Sequence, residues 1–368
     1  MELELSEDQA LFLETTRKFL TAEGSTTAVR ALEQEPRGFD AEWWRRAAGL
    51  GWTSMLVGED DGGGSFSEHG LLDLVLVAEE MGRTVAPGPL APVNVVADAL
   101  RRGGTPEQRA EVLPGLLSGE AVAAWCGATP VDATEEGDGI VLTGTVATAE
   151  AAAQADHLLV AVRSAGGISQ VLLGPDQTGV TVTAMDSLDL VRRFASVRFD
   201  GAAVPGSAVV GARGAADADV ERALQVACVL QCAESVGAMD RVFEMTLEYL
   251  GDRYSFGRPL SSYQALKHRL ADDKMWLEAS HAIATAAARA VAAGAPDAAE
   301  LVSAAKAWIG PQSTELVQDC IQLHGGIGVT WEHDLHLYLR RTTVNRVTHG
   351  TPEWHADRIA TRLLGTAS

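Results

Sequence analysis

Residues 348–352, Thr348-His349-Gly350-Thr351-Pro352, form a short polar turn with an imidazole at its centre. Histidine has an ordinary pKa of about 6.5, so such a group can accept a proton at neutral pH. The same residue also suits a neutral polar role at the head of the helix-like run that follows. Arg253-Tyr254-Ser255-Phe256-Gly257-Arg258-Pro259 offers a second chemistry. Two guanidiniums beside aromatic rings suit a phosphate or nucleotide contact. They equally suit a solvated helix C-terminus, where arginine is favourable in any case. Gln322-Leu323-His324-Gly325-Gly326-Ile327-Gly328 offers a third: glycines that let a ligand approach the backbone, or that stop a helix. Trp331-Glu332-His333-Asp334-Leu335-His336 brings imidazoles and carboxylates together, either as metal ligands or as the polar face of a helix. Cys228 and Cys232 share a helix face, but no further ligand stands at short spacing. With Cys126 and Cys320 they are expected to be buried thiols of a reducing compartment.

These groups need elements to hold them. Residues 1 to about 120 carry helix signals. Ser6-Glu7-Asp8-Gln9 is a capping box, and Leu11, Leu13, Phe19 and Leu20 are expected on the apolar side that follows. Gly62-Gly63-Gly64 marks a loop, and Leu71–Met81 reads as an apolar helix ending near Gly82. Thr105-Pro106-Glu107-Gln108 is a second capping box, with proline at the first helical position. The texture then changes. A hairpin is expected at Gly139–Thr145, and strands at His157–Val162, Val171–Leu173, Val180–Val182 and Ala195–Asp200. Three long alanine-rich helices follow, over Asp217–Gly251, Ser262–Ala293 and Ala298–Leu323, and such helices pack as a bundle.

The composition sets outer limits. The chain has 368 residues, 46% hydrophobic and 21% charged, enough for two or three domains. A formal net charge of −21 argues against nucleic acid or an anionic membrane as partner. No apolar run approaches the roughly 18 residues of a membrane span. The acidic start MELELSEDQALF has no basic region before an apolar stretch, so a cytoplasmic protein is expected.

Taken together, these stretches resemble the acyl-CoA dehydrogenase family over nearly the whole chain. The matching pieces are Arg253–Gly257 (R-x-x-F-G), Tyr263-Gln264, Leu270-Ala271-Asp272, Gln322–Gly328 (Q-x-x-G-G-x-G) and Gly350-Thr351. Leu50-Gly51-Trp52, Glu59–Gly63 and Glu79-Glu80-Met81-Gly82 add to them. The resemblance implies a mostly α protein with a central β domain. Its parts would be an N-terminal helical domain (1–120), a β-barrel-like domain (121–213) and a C-terminal four-helix bundle (214–368). It also implies FAD-dependent α,β-desaturation of acyl-CoA thioesters. A glutamate removes the α-proton, the β-hydride passes to the flavin, and an electron-transfer flavoprotein takes the electrons.

Two counts qualify that expectation. In the family the usual base is the glutamate of E-G-T, 27 residues after the glutamine of Q-x-x-G-G; here His349 stands 27 residues after Gln322. Other members carry the base 10 residues before a helical glycine that itself precedes the R-x-x-F-G arginine by 16; here Gly237 precedes Arg253 by 16, and the base position is Ala227. Glu221 lies six residues too early. The family's L-N-G-x-K-x-W-I-T stretch, which lines the flavin ring, aligns with Leu142–Glu150, so Thr148 replaces the tryptophan and Glu150 the threonine. The family's T-E-P-x-A-G-S-D pattern is replaced by Trp125–Val131.

The ring-side positions are thus altered, while the positions that reach a neighbour's adenosine diphosphate are kept. The chain is similar to the base-lacking subunit of the α2β2 tetramers formed by actinobacterial members. On that resemblance Arg253, Ser255, Phe256, Gln322, Gly325, Gly326 and Thr351 would contact FAD shared across a subunit interface. Two alternatives stand beside it. One is an active homotetramer that uses His349 as base, or runs another reaction on an acyl-CoA or acyl-carrier thioester. The other is a flavin-free scaffold.

Overall fold

A computed structural model of the chain describes residues 5–365. The helices α1 (Glu7–Glu23), α2 (Thr26–Ala31), α3 (Ala41–Gly49), α4 (Gly70–Thr84), α5 (Leu90–Gly103) and α6 (Pro106–Ser118) open it. Both capping boxes form. Ser6 Oγ accepts from Gln9 N at 3.2 Å and Gln9 Oε1 from Ser6 N at 3.1 Å. The Thr105–Gln108 pair repeats this at 3.2 and 3.0 Å. The inward face of α1 differs from expectation. Phe12, Thr16 and Leu20 are buried at strict i,i+4 spacing, and Leu11, one position off that stripe, is 66% exposed.

The residues fall into two compact units. The first comprises the chain up to Gln9, Ala31–Leu74 and Pro87–Ala227. It holds the strands β1 (Ala123–Glu136), β2 (Gly139–Glu150), β3 (His157–Ser164), β4 (Gly167–Leu173), β5 (Val180–Met185), β6 (Phe194–Val204) and β7 (Val209–Val210). They form one mixed sheet in the order β5-β6-β2-β1-β3-β4-β7. The β1–β3 pair is parallel and the others are antiparallel. The Val-, Leu- and Ala-rich strand β3 is buried at five successive positions, as a central strand covered on both faces must be.

The second unit comprises Ala10–Arg30, Val75–Ala86 and the chain from Cys228 onward. It contains most of α7 (Asp217–Asp252), the short strands β8 (Tyr254–Ser255) and β9 (Arg258–Pro259), then α8 (Gln264–Ala293), α9 (Ala298–His324), α10 (Leu335–Val347) and α11 (Pro352–Gly365). Helix α9 packs against α8, α10 and α11. Two glycines set how closely α4 approaches α7. A Cβ on Gly82 would fall 1.9 Å from the carbonyl oxygen of Glu234, and one on Gly237 would fall 1.9 Å from that of Glu79. The buried Arg341 guanidinium then bonds Glu234 Oε1 at 2.6 Å and the carbonyls of Val85 and Ala86 at 3.2 Å. Asn345 donates to Glu234 Oε2 at 2.9 Å, so this carboxylate is paired on both oxygens.

Candidate active site and cofactor contacts

At the end of α7 the chain makes a tight hairpin, Ser255 opposite Arg258, with Phe256 and Gly257 at its tip. Both tip residues have positive φ, 50° and 79°, as a type I′ turn requires. Glycine adopts this freely, whereas for phenylalanine it is strained by about 1–2 kcal/mol. The hairpin is braced. Tyr263 Oη donates to Ser255 O at 2.8 Å, Leu260 N to Arg253 O at 2.7 Å, and the Arg258 guanidinium lies 3.9 Å over the Tyr263 ring. One of the two arginines singled out in the sequence is therefore stacked within the chain, while Arg253 is exposed. Phe256 is 97% exposed.

The end of α9 lies beside the end of α7. Tyr249, one turn before Arg253, stacks on His324 at 4.4 Å and donates to its carbonyl at 3.2 Å. The glycines that follow divide by role. Gly325 takes φ 63°, ψ −140°, a conformation essentially confined to glycine. Gly328 has no room, since a Cβ there would lie 2.5 Å from Ile321 O. Gly326 needs neither, because a Cβ would meet nothing within 4 Å. Its bare backbone, with exposed Gln322 and Gly325 nearby, is open to a ligand. The structure thus brings Gln322, Gly325 and Gly326 to the same end of the bundle as Arg253, Ser255 and Phe256.

The His349 turn is elsewhere. His349 is half-buried with φ 60°. Its carbonyl accepts from His355 Nε2 at 3.0 Å and from Cys228 Sγ at 3.8 Å. Lys306, buried in α9, donates to Thr348 O at 2.8 Å and Asn345 O at 2.6 Å. Thr351 Oγ1 accepts from Trp354 N at 3.3 Å and so heads α11. Burial pushes the His355 imidazole down to about 4, with the Lys306 charge adding to it, so His355 is neutral at physiological pH. Sequence reasoning passed over Lys306 and His355; a lone lysine in the apolar run Ser303–Ile309 was the available signal. Lys306 and His324 are 18 residues apart on α9, which places the His349 turn and the glycine turn about 27 Å apart along that helix.

In the first unit, Glu150 at the end of β2 is buried and ion-paired with Arg192, Nη1 to both carboxylate oxygens at 3.1 Å. Asp189 fixes the loop that supplies the arginine, its Oδ1 accepting from Val191 N and Arg192 N at 2.9 Å.

The four cysteines are buried thiols outside any disulfide, and burial holds those of Cys126, Cys232 and Cys320 up at about 12. They are packing groups. Glu332, His333 and His336 do not converge as ligands: His336 stacks on Trp331 at 4.6 Å and His333 meets His324 edge-on at 4.8 Å. Among the described residues the group that does converge is Glu79, Asp240 and His281, scattered over three helices and illegible from spacing. No described helix is long and apolar enough to cross a membrane.

Comparison with known proteins gives the same picture. The acyl-CoA dehydrogenase N-terminal domain model matches residues 6–120, and the C-terminal domain model matches residues 218–364. Acyl-CoA dehydrogenase IpdE2 of Mycobacterium tuberculosis is 31% identical over 337 residues, 91% of each chain. A variant of the Tcur3481-Tcur3483 steroid ACAD superposes with TM-score 0.88 at 28% identity, covering 98% of this chain and 99% of that one. The ChsE4-ChsE5 complex from Mycobacterium tuberculosis superposes with TM-score 0.89 at 26% identity, covering 99% of each. Motifs, fold and matches agree: the chain belongs to the acyl-CoA dehydrogenase family of FAD-binding oxidoreductases.

Proposed function

We propose that this chain is the base-lacking subunit of a heteromeric acyl-CoA dehydrogenase, completing a partner's FAD site in an α2β2 complex. The observation that carries the reading is the His349 turn. The usual base position holds an imidazole, and the second possible position is Ala227, buried and without a titratable group. The turn is fixed through its carbonyls by Lys306, His355 and Cys228. These bonds fix the turn by its main chain, which supports a structural part for His349.

The fit to FAD is split. The flavin ring is expected beside Glu150, where the family offers a hydroxyl. A carboxylate locked to Arg192 accepts hydrogen bonds and does not donate one. That half does not fit, and no step through a flavin in this subunit follows. The other half fits. Arg253 supplies charge for a phosphate, Phe256 a fully presented ring, and Gln322, Gly325 and Gly326 an open backbone edge. Ser255 is assigned to the same contact set from the motif, whereas Thr351, also assigned to FAD by the motif, stands in the His349 turn at the other end of α9. The separation of about 27 Å along α9 sets these contacts apart from the His349 turn, as expected if they serve a partner's cofactor. Two of the similar solved structures are named as paired products, ChsE4-ChsE5 and Tcur3481-Tcur3483, which supports a paired subunit here too. FAD held in the partner with the help of Arg253, Phe256, Gln322, Gly325 and Gly326 would supply the hydride acceptor, and an electron-transfer flavoprotein is the proposed electron acceptor. The similarity to a steroid ACAD makes steroid-derived acyl-CoA thioesters the first substrates to assay.

The test is the visible spectrum and native mass of the chain expressed alone and with an E-G-T-bearing family member. The expected outcome is little flavin alone and one flavin per heterodimer in the mixed tetramer. Stoichiometric FAD in a homotetramer, with turnover lost in His349→Ala, would overturn it and make His349 the base. A mixed complex without flavin would leave the scaffold reading.

A further inference from the structure

Glu79 of α4, Asp240 of α7 and His281 of α8 each present one ligand atom to a common point, and these atoms lie within 4.8 Å of one another. His281 Nε2 is 3.1 Å from Asp240 Oδ1 and 3.0 Å from Oδ2. Glu79 differs. No hydrogen bond or ion pair to its carboxylate is found among the described residues. Three donors therefore gather within 4.8 Å, and Glu79 alone among them makes no hydrogen bond.

The scaffold is stiff. All three donors stand on long helices, and the Glu79 carbonyl touches Gly237, one turn before Asp240. Arg17 pairs with Glu80 at 2.8 Å, Arg83 with Glu244 at 2.6 Å, and Arg241 lies 3.5 Å from Glu244, so the short bonds of these cations go to Glu80 and Glu244 rather than to Glu79 or Asp240. Arg83 keeps its short bond with Glu244 at 2.6 Å and stands off Asp240 at 4.0 Å, so it does not fill the gap.

We propose that Glu79, Asp240 and His281 bind a divalent transition-metal cation of the zinc type. Two carboxylate oxygens and one imidazole nitrogen make a borderline donor set, with water as a fourth ligand; the imidazole argues against calcium or magnesium. Typical Zn–O and Zn–N bonds of about 2.0–2.2 Å require the donors to close in by small side-chain rotations. The bound ion clamps α4, α7 and α8 together, a structural role independent of catalysis.

The test uses the full chain, stripped with chelator and titrated with Zn²⁺ by calorimetry and with Co²⁺ by visible absorbance. The expected result is one saturable equivalent per chain and a Co²⁺ ligand-field band. Both should weaken about tenfold or more in His281→Gln, Asp240→Asn and Glu79→Gln. Circular dichroism confirms that each variant is folded, and His69→Gln, at an exposed site, should bind as the parent does. No saturable equivalent at tens of micromolar metal, or an equivalent that survives all three substitutions, overturns the proposal. The first outcome leaves a plain His281–Asp240 pair, and the second assigns the metal to other side chains.

Discussion

His355 donates its Nε2 hydrogen to the carbonyl of His349 at 3.0 Å, while its own Nδ1 is buried without a hydrogen-bond partner among the described residues. A proton on Nδ1 would place a charge in an apolar pocket beside Lys306, which is why the pKa falls from 6.5 to about 4. The unfolded chain binds this proton below pH 6.5 and the folded chain does not until about pH 4. Stability from this group is thus complete above pH 6.5 and is lost as pH falls through that window, by up to about 3 kcal/mol. His355→Gln keeps a donor for His349 and removes the titration. Urea midpoints at pH 7.5, 5.5 and 4.5 should fall less steeply with acid in the variant. Equal slopes would mean that His355 is not the group responsible.

Asp273 of α8 runs the opposite way. It is fully buried, neither carboxylate oxygen has a hydrogen-bond partner among the described residues, and burial, then the Asp319 charge, push its pKa up to about 7. Here the folded state holds the proton longer. Its contribution is intact below the unfolded value of 3.8 and is lost as pH rises through about 7. Asp273→Asn should stabilise the chain at pH 8 by about 2–3 kcal/mol and change little at pH 4.5. Between pH 4 and 6.5 the two slopes oppose each other, so each single variant should unmask the other group's titration. A variant equally stable at both pH values relative to the parent would refute the assignment.

What the sequence disclosed follows from how local each signal is. The 36-residue helix α7 was legible to within a residue at its end, because no proline and a single internal glycine, Gly237, interrupt the helix formers before Gly251. Both capping boxes were legible because each is written in four residues. The hairpin at Phe256 was not. A two-residue I′ turn is usually announced by Asn-Gly or Asp-Gly, and Phe-Gly carries no such signal. The motif located the candidate contact residues, but the I′ turn that presents Phe256 came only from the backbone. The Lys306 and Arg341 networks join residues up to 256 positions apart, and nothing in a linear pattern pairs them. Glu150 was legible as a misplaced charge, but its neutralisation by Arg192, 42 residues on, was not.

That pair makes its own prediction. The side chains of Arg192 and Glu150 are 10% and 6% exposed. Removing only the cation takes this ion pair from a buried carboxylate, so Arg192→Leu should destabilise the chain by up to about 3–5 kcal/mol. Replacing both partners, Glu150→Leu with Arg192→Leu, should recover most of that loss, since neither charge is then desolvated. A double-mutant cycle by chemical denaturation measures the coupling. Additive losses would mean that the two residues are stabilised by separate neighbours and that Glu150 is not locked by Arg192.

Phe256 separates a residue kept for this chain from one kept for another. At 97% exposure its ring contributes almost nothing to packing here, yet the backbone holds it at φ 50°. Phe256→Gly removes the left-handed strain and loses some of that gain to glycine's greater unfolded freedom, so the lone chain should melt at the same temperature or slightly higher, by about 0–1 kcal/mol. The mixed tetramer should respond differently. If the ring is lent to a partner's FAD, flavin absorbance per complex should fall severalfold after gel filtration, with the tetramer still assembled. Unchanged flavin content would remove Phe256 from the proposed contact. A lone chain that melts well below the parent would show that the ring packs within its own subunit. A strained, exposed aromatic that costs its own chain stability and raises a neighbour's cofactor occupancy is the signature expected of a subunit whose site lies in its partner.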